Sequence, residues 1–300
     1  MSNKKKIFLI IAVIVMLIVA GCGSQSEKKI QDKNEIRIMT SFYPVYIATI
    51  NITKNIEGVT VENLTAPQTG CLHDYQFTTK DMKKLEGAGI FVANGAGMEG
   101  FLDKIKGRQK QMKIIDASSG IILLKDDKEA NPHVWLSISR EIEQIKNISR
   151  SLSEYDKEHA ARYKANAEEY ISKLSALREE GLRELADIKH RDIVTFHEAF
   201  PYFAEEFNLN IAAVVEREPG TEPAPKEIEE TIKKLKGLSS KVIFTEPQYP
   251  AKTAEIIAKE CGGQVYTLDP LVTGVADAKA INAYIDGMRN NIQVLKKALK

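Results

Sequence analysis

Short apolar runs alternate with helical patterns along most of this 300-residue chain, in two blocks of four runs each. The runs are rich in β-branched and aromatic residues, and continuous apolar runs of four to six residues are typical of parallel strands that helices cover on both faces. We therefore predict an α/β fold with two lobes, each a mostly parallel four-stranded sheet flanked by helices. Strands are expected at 36–41, 59–64, 90–93, 112–116, 192–196, 210–215, 241–245 and 264–268, with helices between them at 45–55, 79–86, 98–105, 198–207, 225–236 and 251–260.

A long helix is predicted between the two blocks. From Tyr163 to Ile188, apolar residues recur every three or four positions and so share one helix face. With Asp156 as its N-cap the helix is a rod of roughly 48 Å, which Gly181 weakens by about 1 kcal/mol relative to alanine. We expect the rod to pack across both lobes; a coiled-coil dimer seam is the alternative. The chain then divides into an N-terminal lobe over 35–155, a connecting helix over 156–188 and a C-terminal lobe over 189–300.

The first 34 residues have a different character. Three lysines precede an uncharged apolar run from Ile7 to Ala20, which is too short to span a bilayer comfortably but typical of a signal peptide. The run ends in Val-Ala-Gly-Cys, which resembles a bacterial lipobox. We expect removal of a signal peptide, 1–21, and attachment of lipid to Cys22, followed by a polar tether, 22–34. The mature protein would then lie outside the cytoplasm, anchored to the cell membrane; an uncleaved anchor is the alternative.

The overall charge argues against one large class of function. Loss of the three lysines of the signal peptide takes the formal net charge from +1 to −2. Proteins that bind nucleic acid usually carry a strong basic excess, so no nucleic-acid partner is expected. Three cysteines are also too few for a disulfide framework.

Three of the five histidines lie where parallel sheets place their ligands. His197 and Asp269 directly follow expected strands, while His73 and His133 lie in turn-like loops that contain proline. In open parallel sheets ligands bind beyond the carboxyl ends of the strands. Three imidazole nitrogens and one carboxylate oxygen suit a tetrahedral Zn²⁺ ion. The long spacings between these residues are not diagnostic, so an ordinary surface or core role for each histidine stays open.

Several short motifs recur in order along the chain. Asn131-Pro132-His133-Val134-Trp135 is close to the pattern Asp-Pro-His-x-Trp, and residues 94–99 read Asn-Gly-Ala-Gly-Met-Glu. Residues 197–203 read His-Glu-Ala-Phe-Pro-Tyr-Phe. Together these motifs resemble those of the zinc and manganese solute-binding lipoproteins of bacterial ABC transporters, of the metal-binding cluster A-I type. Further likenesses lie at 41–44, 70–75, 222–227, 244–248 and 268–271.

The resemblance implies a fixed metal site between the two lobes, with the long helix as backbone and His73, His133 and His197 as ligands. Asp269 matches the fourth ligand of part of the family; water or another carboxylate takes that place in other members. Histidine at the third position accompanies zinc and glutamate accompanies manganese, so His197 points to Zn²⁺, and imidazole chemistry agrees. The implied function is a lipid-anchored, monomeric receptor that captures zinc and delivers it to an ABC permease and its ATPase.

The chain departs from the family pattern next to His73, where Cys71 and Leu72 replace the usual residues. A thiolate binds zinc well, so Cys71 lies close enough in sequence to touch the metal; an inert, partly buried cysteine is the alternative. A Cys71–Cys261 disulfide would have to cross between the lobes. Glu246 is interpreted as a supporting carboxylate that holds the N–H of a ligating histidine.

Three other functions remain as alternatives. The nearest is a manganese receptor of the same family. A zinc hydrolase would use three histidines, an open water position and Glu198 as base, but no second histidine follows His197 by four residues, so the HExxH arrangement is missing. The third is an adhesin or structural surface lipoprotein with an incidental metal. We expect that the protein is not an enzyme.

Overall fold

The computed structural model describes residues 35–72, 75–126, 129–215 and 223–300. The expected signal peptide, Cys22 and the tether lie outside the described residues, and so do His73 and Glu222. Within these ranges, no helix is both long enough and apolar enough to cross a membrane.

The N-terminal lobe contains a four-stranded parallel sheet. Its elements are β1 Ile36–Thr40, α1 Tyr43–Ile52, β2 Val59–Asn63, α2 Thr79–Lys84, β3 Ile90–Ala93, α3 Leu102–Arg108 and β4 Lys113–Asp116. The strand order is β2-β1-β3-β4, and every neighbouring pair is parallel. The central strand β3 is buried at all four positions, which is why its sequence is an unbroken apolar run.

Two long helices follow the first lobe. A short antiparallel hairpin and a 3-10 turn lead into them; the elements are β5 Lys125–Asp126, β6 Glu129–Ala130, the turn Val134–Leu136, α4 Ile138–Tyr155 and α5 Ala160–Glu184. The long helix is therefore shorter at both ends than the predicted 156–188. The Asp156 carboxylate accepts hydrogen bonds from the backbone and ring of His159 and from the Tyr163 hydroxyl. These bonds hold a turn ahead of the helix, so α5 starts at Ala160.

The C-terminal lobe repeats the architecture of the first. Its elements are β7 Asp192–Thr195, α6 Pro201–Glu206, β8 Asn210–Val214, α7 Pro225–Gly237, β9 Val242–Thr245, α8 Lys252–Cys261, β10 Gln264–Thr267 and α9 Ala283–Ala298. All strand pairs are parallel, in the order β10-β9-β7-β8. The predicted fold of two parallel four-stranded sheets is confirmed, and all eight strands begin and end within one residue of the expected positions.

The helix α5 packs across both lobes. Its apolar stripe is buried against α1 of the first lobe, against α4 and against α9 of the second. Because the chain's own helices cover the stripe, it does not serve as a coiled-coil seam. At Gly181 of α5, two side chains pack directly against the helix backbone. A Cβ atom there would lie 2.7 Å from Ile292 and 2.8 Å from Phe207. Glycine thus leaves room for the side chains of Ile292 and Phe207 to pack directly against α5.

The buried core includes an unpartnered carboxylate on α4. Glu141 is 2% exposed, and its Oε1 atom has no hydrogen-bond partner within the described ranges. Burial raises the pKa of Glu141 to about 8 from its ordinary value of 4.5. The neighbouring phenols of Tyr170 and Tyr284 are buried as well, and their pKa values are raised by burial and by the Glu141 charge.

This shift predicts that the free energy of unfolding falls as pH rises. The unfolded chain loses the Glu141 proton near its ordinary pKa, while the folded chain keeps it until about pH 8, so stability declines between those values. The variant Glu141→Gln stays neutral and should retain the stability that the wild type loses, at about 1.4 kcal/mol per pKa unit as an upper bound. Urea denaturation from pH 5 to pH 9 measures the difference.

The matched control is Glu255→Gln, which alters an exposed glutamate in the first turn of α8. It should leave the pH dependence unchanged. An equal loss of stability with pH in wild type and Glu141→Gln would contradict the assignment.

Candidate metal centre

Three side chains that can bind metal converge between the lobes. Within the described part of the chain, one ligand atom each from Cys71, His133 and His197 lies within 4.8 Å of the other two. Both histidines are 2% exposed, and Cys71 is half-buried. Cys71 belongs to the loop after β2, His133 to the segment before the 3-10 turn, and His197 to the loop after β7. Two of these segments come from the first lobe and one from the second.

The ring of His133 is fixed by the side chain of Asn131. The Asn131 Oδ1 atom accepts hydrogen bonds from both the backbone N–H and the Nδ1 atom of His133, each 3.0 Å long. The amide of Asn131 donates to the carbonyl of Glu198, which determines the orientation of its oxygen. Because an amide oxygen only accepts, the proton of His133 lies on Nδ1, and Nε2 presents its lone pair to the site.

The ring of His197 is fixed in the same way by a carboxylate. Its Nδ1 atom lies 3.0 Å from Oε1 of Glu246, and both side chains are almost fully buried. His197 follows β7 and Glu246 follows the neighbouring strand β9, so the parallel sheet places them side by side. The carboxylate holds the proton of His197 on Nδ1, so Nε2 is the ring nitrogen that can act as a ligand. The supporting role expected of Glu246 at a metal site stays a prediction.

The two imidazole rings lie close together between the lobes. Their centroids are 5.2 Å apart at an interplanar angle of 82°. The Nε2 atom of His133 lies 3.5 Å from Sγ of Cys71. A pair of neutral imidazoles with a thiol, all with limited access to water, suits borderline-soft divalent metals better than hard ones.

Asp269 lies outside this group of three. Its Oδ1 atom accepts hydrogen bonds from the backbone N–H of Leu271 at 2.8 Å and from the Gln248 amide at 3.2 Å. The carboxylate thus stabilises the loop after β10, whose Leu271 adopts a φ of 62°. Its assignment as a metal ligand stays a prediction, as does that of His73.

The two cysteines of the described ranges do not form a disulfide. Cys71 lies beside His133, whereas the thiol of Cys261 donates to the carbonyl of Ile232 within the C-terminal lobe, 3.6 Å away. The interlobe disulfide considered from the sequence is therefore absent.

Asn131 is a functional residue that sequence reasoning did not single out. Its side chain caps a backbone N–H two residues further on, which is the contact that Asn makes in Asx-turns. An Asn-Pro-His sequence carries that signal, because proline holds the turn between the cap and the histidine. The same capping oxygen then holds the imidazole.

Hydrogen bonds between the lobes surround the site. The indole N–H of Trp135 donates to the carbonyl of Pro270, 2.8 Å away, and the Tyr202 hydroxyl donates to the carbonyl of Asn131, 2.7 Å away. Asn131 and Trp135 each lie two residues from His133 in the sequence, and Pro270 directly follows Asp269. The lobes are thus tied together where their ligands meet.

Comparison with known proteins gives consistent matches over nearly the whole chain. The family model described as "Zinc-uptake complex component A periplasmic" matches residues 38–298. The zinc-binding protein AdcA of Streptococcus pyogenes serotype M3 is 30% identical over 98% of this chain. The zinc-binding lipoprotein AdcA of Streptococcus pneumoniae serotype 4 is also 30% identical over 98% of it. The chain spans only 61% of the length of each AdcA protein.

A relative of similar length and two solved structures extend the comparison. The high-affinity zinc uptake system protein ZnuA of Bacillus subtilis is 29% identical, over 99% of this chain and 98% of its own. The solute-binding protein FpvC of Pseudomonas aeruginosa, solved with Mn²⁺, is 31% identical with a TM-score of 0.79, over 88% of this chain and 98% of its own. The laminin-binding protein Lmb of Streptococcus agalactiae, described as an adhesin with metal-transporting activity, is 26% identical with a TM-score of 0.78, over 88% of this chain and 100% of its own.

The contact between Glu246 and His197 predicts a measurable effect on metal affinity. The variant Glu246→Ala should weaken zinc binding about 10- to 100-fold, the range for loss of a partner that orients a metal-binding histidine. Competition with a fluorescent zinc chelator measures the affinity. Glu141→Gln, which alters a buried glutamate facing Tyr170 and Tyr284, should bind zinc as the wild type does. A Glu246→Ala protein within twofold of the wild type would contradict this role.

Proposed function

Because this chain belongs to the family of periplasmic zinc-uptake components, we propose that it is an extracytoplasmic receptor that binds Zn²⁺ between its two lobes and delivers it to an ABC importer. The observation that carries the proposal is the buried pair of His133 and His197. Each ring is hydrogen-bonded through Nδ1 to a dedicated acceptor, so Nε2 is the ring nitrogen that can bind a metal. Two buried imidazoles prepared in this way are a metal site rather than ordinary core histidines.

We assign three histidines to the metal. His133 and His197 come from the two lobes, and His73 completes the set from the loop that carries Cys71. Asp269 is the fourth ligand expected from the sequence, although its Oδ1 atom serves the loop after β10. The lobes extend over 35–155 and 189–300, with 156–188 as the connecting segment. The domain division agrees with the position of α5 between the two sheets.

The partners and the location follow from the same proposal. An ABC permease and its ATPase receive the metal, and the protein acts as a monomer outside the cytoplasm. The signal peptide is removed, and lipid at Cys22 with the tether 22–34 anchors the protein to the membrane. The metal is cargo rather than a catalyst, so no enzymatic activity is assigned. The interlobe bonds of Trp135 and Tyr202 favour small lobe movements during capture and release.

Zinc binding should raise the melting temperature of the metal-free protein, because a ligand that binds only the folded state stabilises it by about 2.7 kcal/mol at 100 times its Kd. Calcium should have little effect, since it prefers oxygen ligands. His133→Ala should abolish the zinc effect. His190→Ala is the control, because His190 lies on the surface against Ser239 and should leave the effect intact. Equal increases in melting temperature with calcium and with zinc would contradict the proposal.

Zinc should also displace manganese from the site. Competition titration of the two metals on chelator-treated protein measures the preference, and nitrogen ligands predict that zinc wins. In cells that lack other zinc importers, His133→Ala should prevent growth under zinc limitation while His190→Ala supports it. If the protein binds manganese in preference to zinc, it is a manganese receptor. If the His133→Ala strain grows normally under zinc limitation, an adhesin function is favoured.

A further inference from the structure

We propose that the thiolate of Cys71, rather than Asp269, is the fourth ligand of the zinc ion. The inference rests on the proposed function and names the group that completes its site. It concerns a residue at which this chain departs from the motifs it otherwise resembles.

The position of Cys71 relative to His133 is the first reason. In a tetrahedral site, zinc bonds of about 2.3 Å to sulfur and 2.05 Å to nitrogen place the two ligand atoms about 3.6 Å apart. Sγ of Cys71 lies 3.5 Å from Nε2 of His133. The Nδ1 proton of that ring is engaged by Asn131, so Nε2 directs a lone pair toward the thiol. Thiol and imidazole are therefore already spaced as two ligands of one zinc ion.

The loop that carries Cys71 is held in place on both sides. Leu72 is 1% exposed and packs into the core of the chain. On the other side, the Tyr249 hydroxyl of the second lobe lies so close to Gly70 that a Cβ atom there would be only 3.1 Å from it. The ring of Tyr249 lies 6.3 Å from that of His197. The second lobe thus covers the cysteine loop beside its own ligand, which fixes the thiol toward the site.

The position of Asp269 is the second reason. Among the described residues, the group of converging ligand atoms contains Cys71 and the two histidines, and Asp269 is not in it. The Asp269 carboxylate already accepts two hydrogen bonds that hold its own loop. Sγ of Cys71 already lies beside the ring of His133, whereas the Asp269 carboxylate would have to move into the group.

A thiolate ligand at Cys71 would make the site select zinc over manganese. As zinc binds, the S–H proton passes to solvent and a sulfur–zinc bond forms, so the thiolate adds one negative charge and one soft donor. Thiolate ligands favour zinc and other soft or borderline metals, while manganese favours carboxylate and carbonyl oxygens. Cys71 therefore acts as a specificity-determining residue against manganese.

Cobalt substitution tests the inference directly, because a cobalt–thiolate bond gives a charge-transfer band in the near ultraviolet that imidazole and carboxylate ligands do not give. The full-length protein loaded with one equivalent of Co²⁺ should show this band. Cys261→Ser, which removes the buried thiol of α8, should keep it, and Cys71→Ser should lose it. Asp269→Ala should also keep it. Circular dichroism of the metal-free variants checks that each is folded.

Zinc affinity provides the second measurement. Cys71→Ser should weaken zinc binding by at least about 10- to 100-fold, the loss seen when even an outer partner of a ligand is removed, and should narrow the preference for zinc over manganese. Asp269→Ala should weaken binding less than Cys71→Ser does. Absence of the cobalt band from the wild type, or a band of equal strength in Cys71→Ser, overturns the inference.

The outcomes separate the two proposals. If His133→Ala abolishes zinc binding but the wild type shows no cobalt–thiolate band, the receptor function stands and the role of Cys71 fails. If zinc binds with the same affinity to wild type and His133→Ala, both proposals fail.

Discussion

Two hydrogen bonds from imidazole Nδ1 atoms determine what the site between the lobes can do. His133 donates to the amide oxygen of Asn131, and His197 donates to the carboxylate of Glu246, each over 3.0 Å. A neutral imidazole offers one donor and one acceptor, so fixing the proton on Nδ1 makes Nε2 the ligand atom in both rings. A buried histidine without such a partner would have to choose its tautomer as the metal arrives. In this protein the folded structure fixes the tautomer of both histidines before the metal binds.

Those hydrogen bonds depend in turn on how the lobes are held together. Asn131 belongs to the first lobe, but its amide is oriented by Glu198 of the second, and Tyr202 of the second lobe donates to its carbonyl. The helix α5 carries a buried stripe that contacts helices of both lobes, and its hydrophobic core is continuous with theirs. The positions of the two ligand rings are therefore set by packing that spans the whole molecule. Gly181 contributes by allowing Ile292 and Phe207 to approach the helix closely.

The sequence predicts the strands better than the helix ends, and the reason is physical. Where a parallel strand is buried on both faces, an unbroken apolar run marks its limits, and β3 matches the expected 90–93 at both ends. Helix ends depend on side-chain caps that periodicity does not show. Asp156 was expected to cap α5 directly, but its bonds to His159 and Tyr163 form a turn before the helix.

At the metal centre, the sequence indicates the residue types but not their contacts. A strand-end position makes His197 a candidate ligand and a turn pattern makes His133 another, because ligands bind beyond the carboxyl ends of parallel strands; the ligand set itself is what the family resemblance implies. The sequence interpretation gave Glu246 a supporting role for an unspecified histidine, and the structure places its Oε1 atom 3.0 Å from Nδ1 of His197. The Asn-Pro-His sequence signals the turn that Asn131 caps, whereas the contact of Asp269 with Gln248 depends on how loops from different strands meet, and no local pattern encodes that.

Charge balance connects the burial of the site to the identity of its ligands. A Zn²⁺ ion held only by neutral imidazoles would leave two positive charges in a region that excludes water, and burying unpaired charge is costly. Glu246 supplies one negative charge through His197, and its Oε2 atom has no hydrogen-bond partner within the described ranges to offset that charge. A thiolate at Cys71 supplies the second, so metal, thiolate and carboxylate sum to zero. Asp269 would supply the same charge, but it is not among the described side chains whose ligand atoms converge with those of the two histidines. With zinc bound through Cys71, the zinc ion, the thiolate and the Glu246 carboxylate therefore carry no net charge, which lowers the free-energy cost of burying the metal.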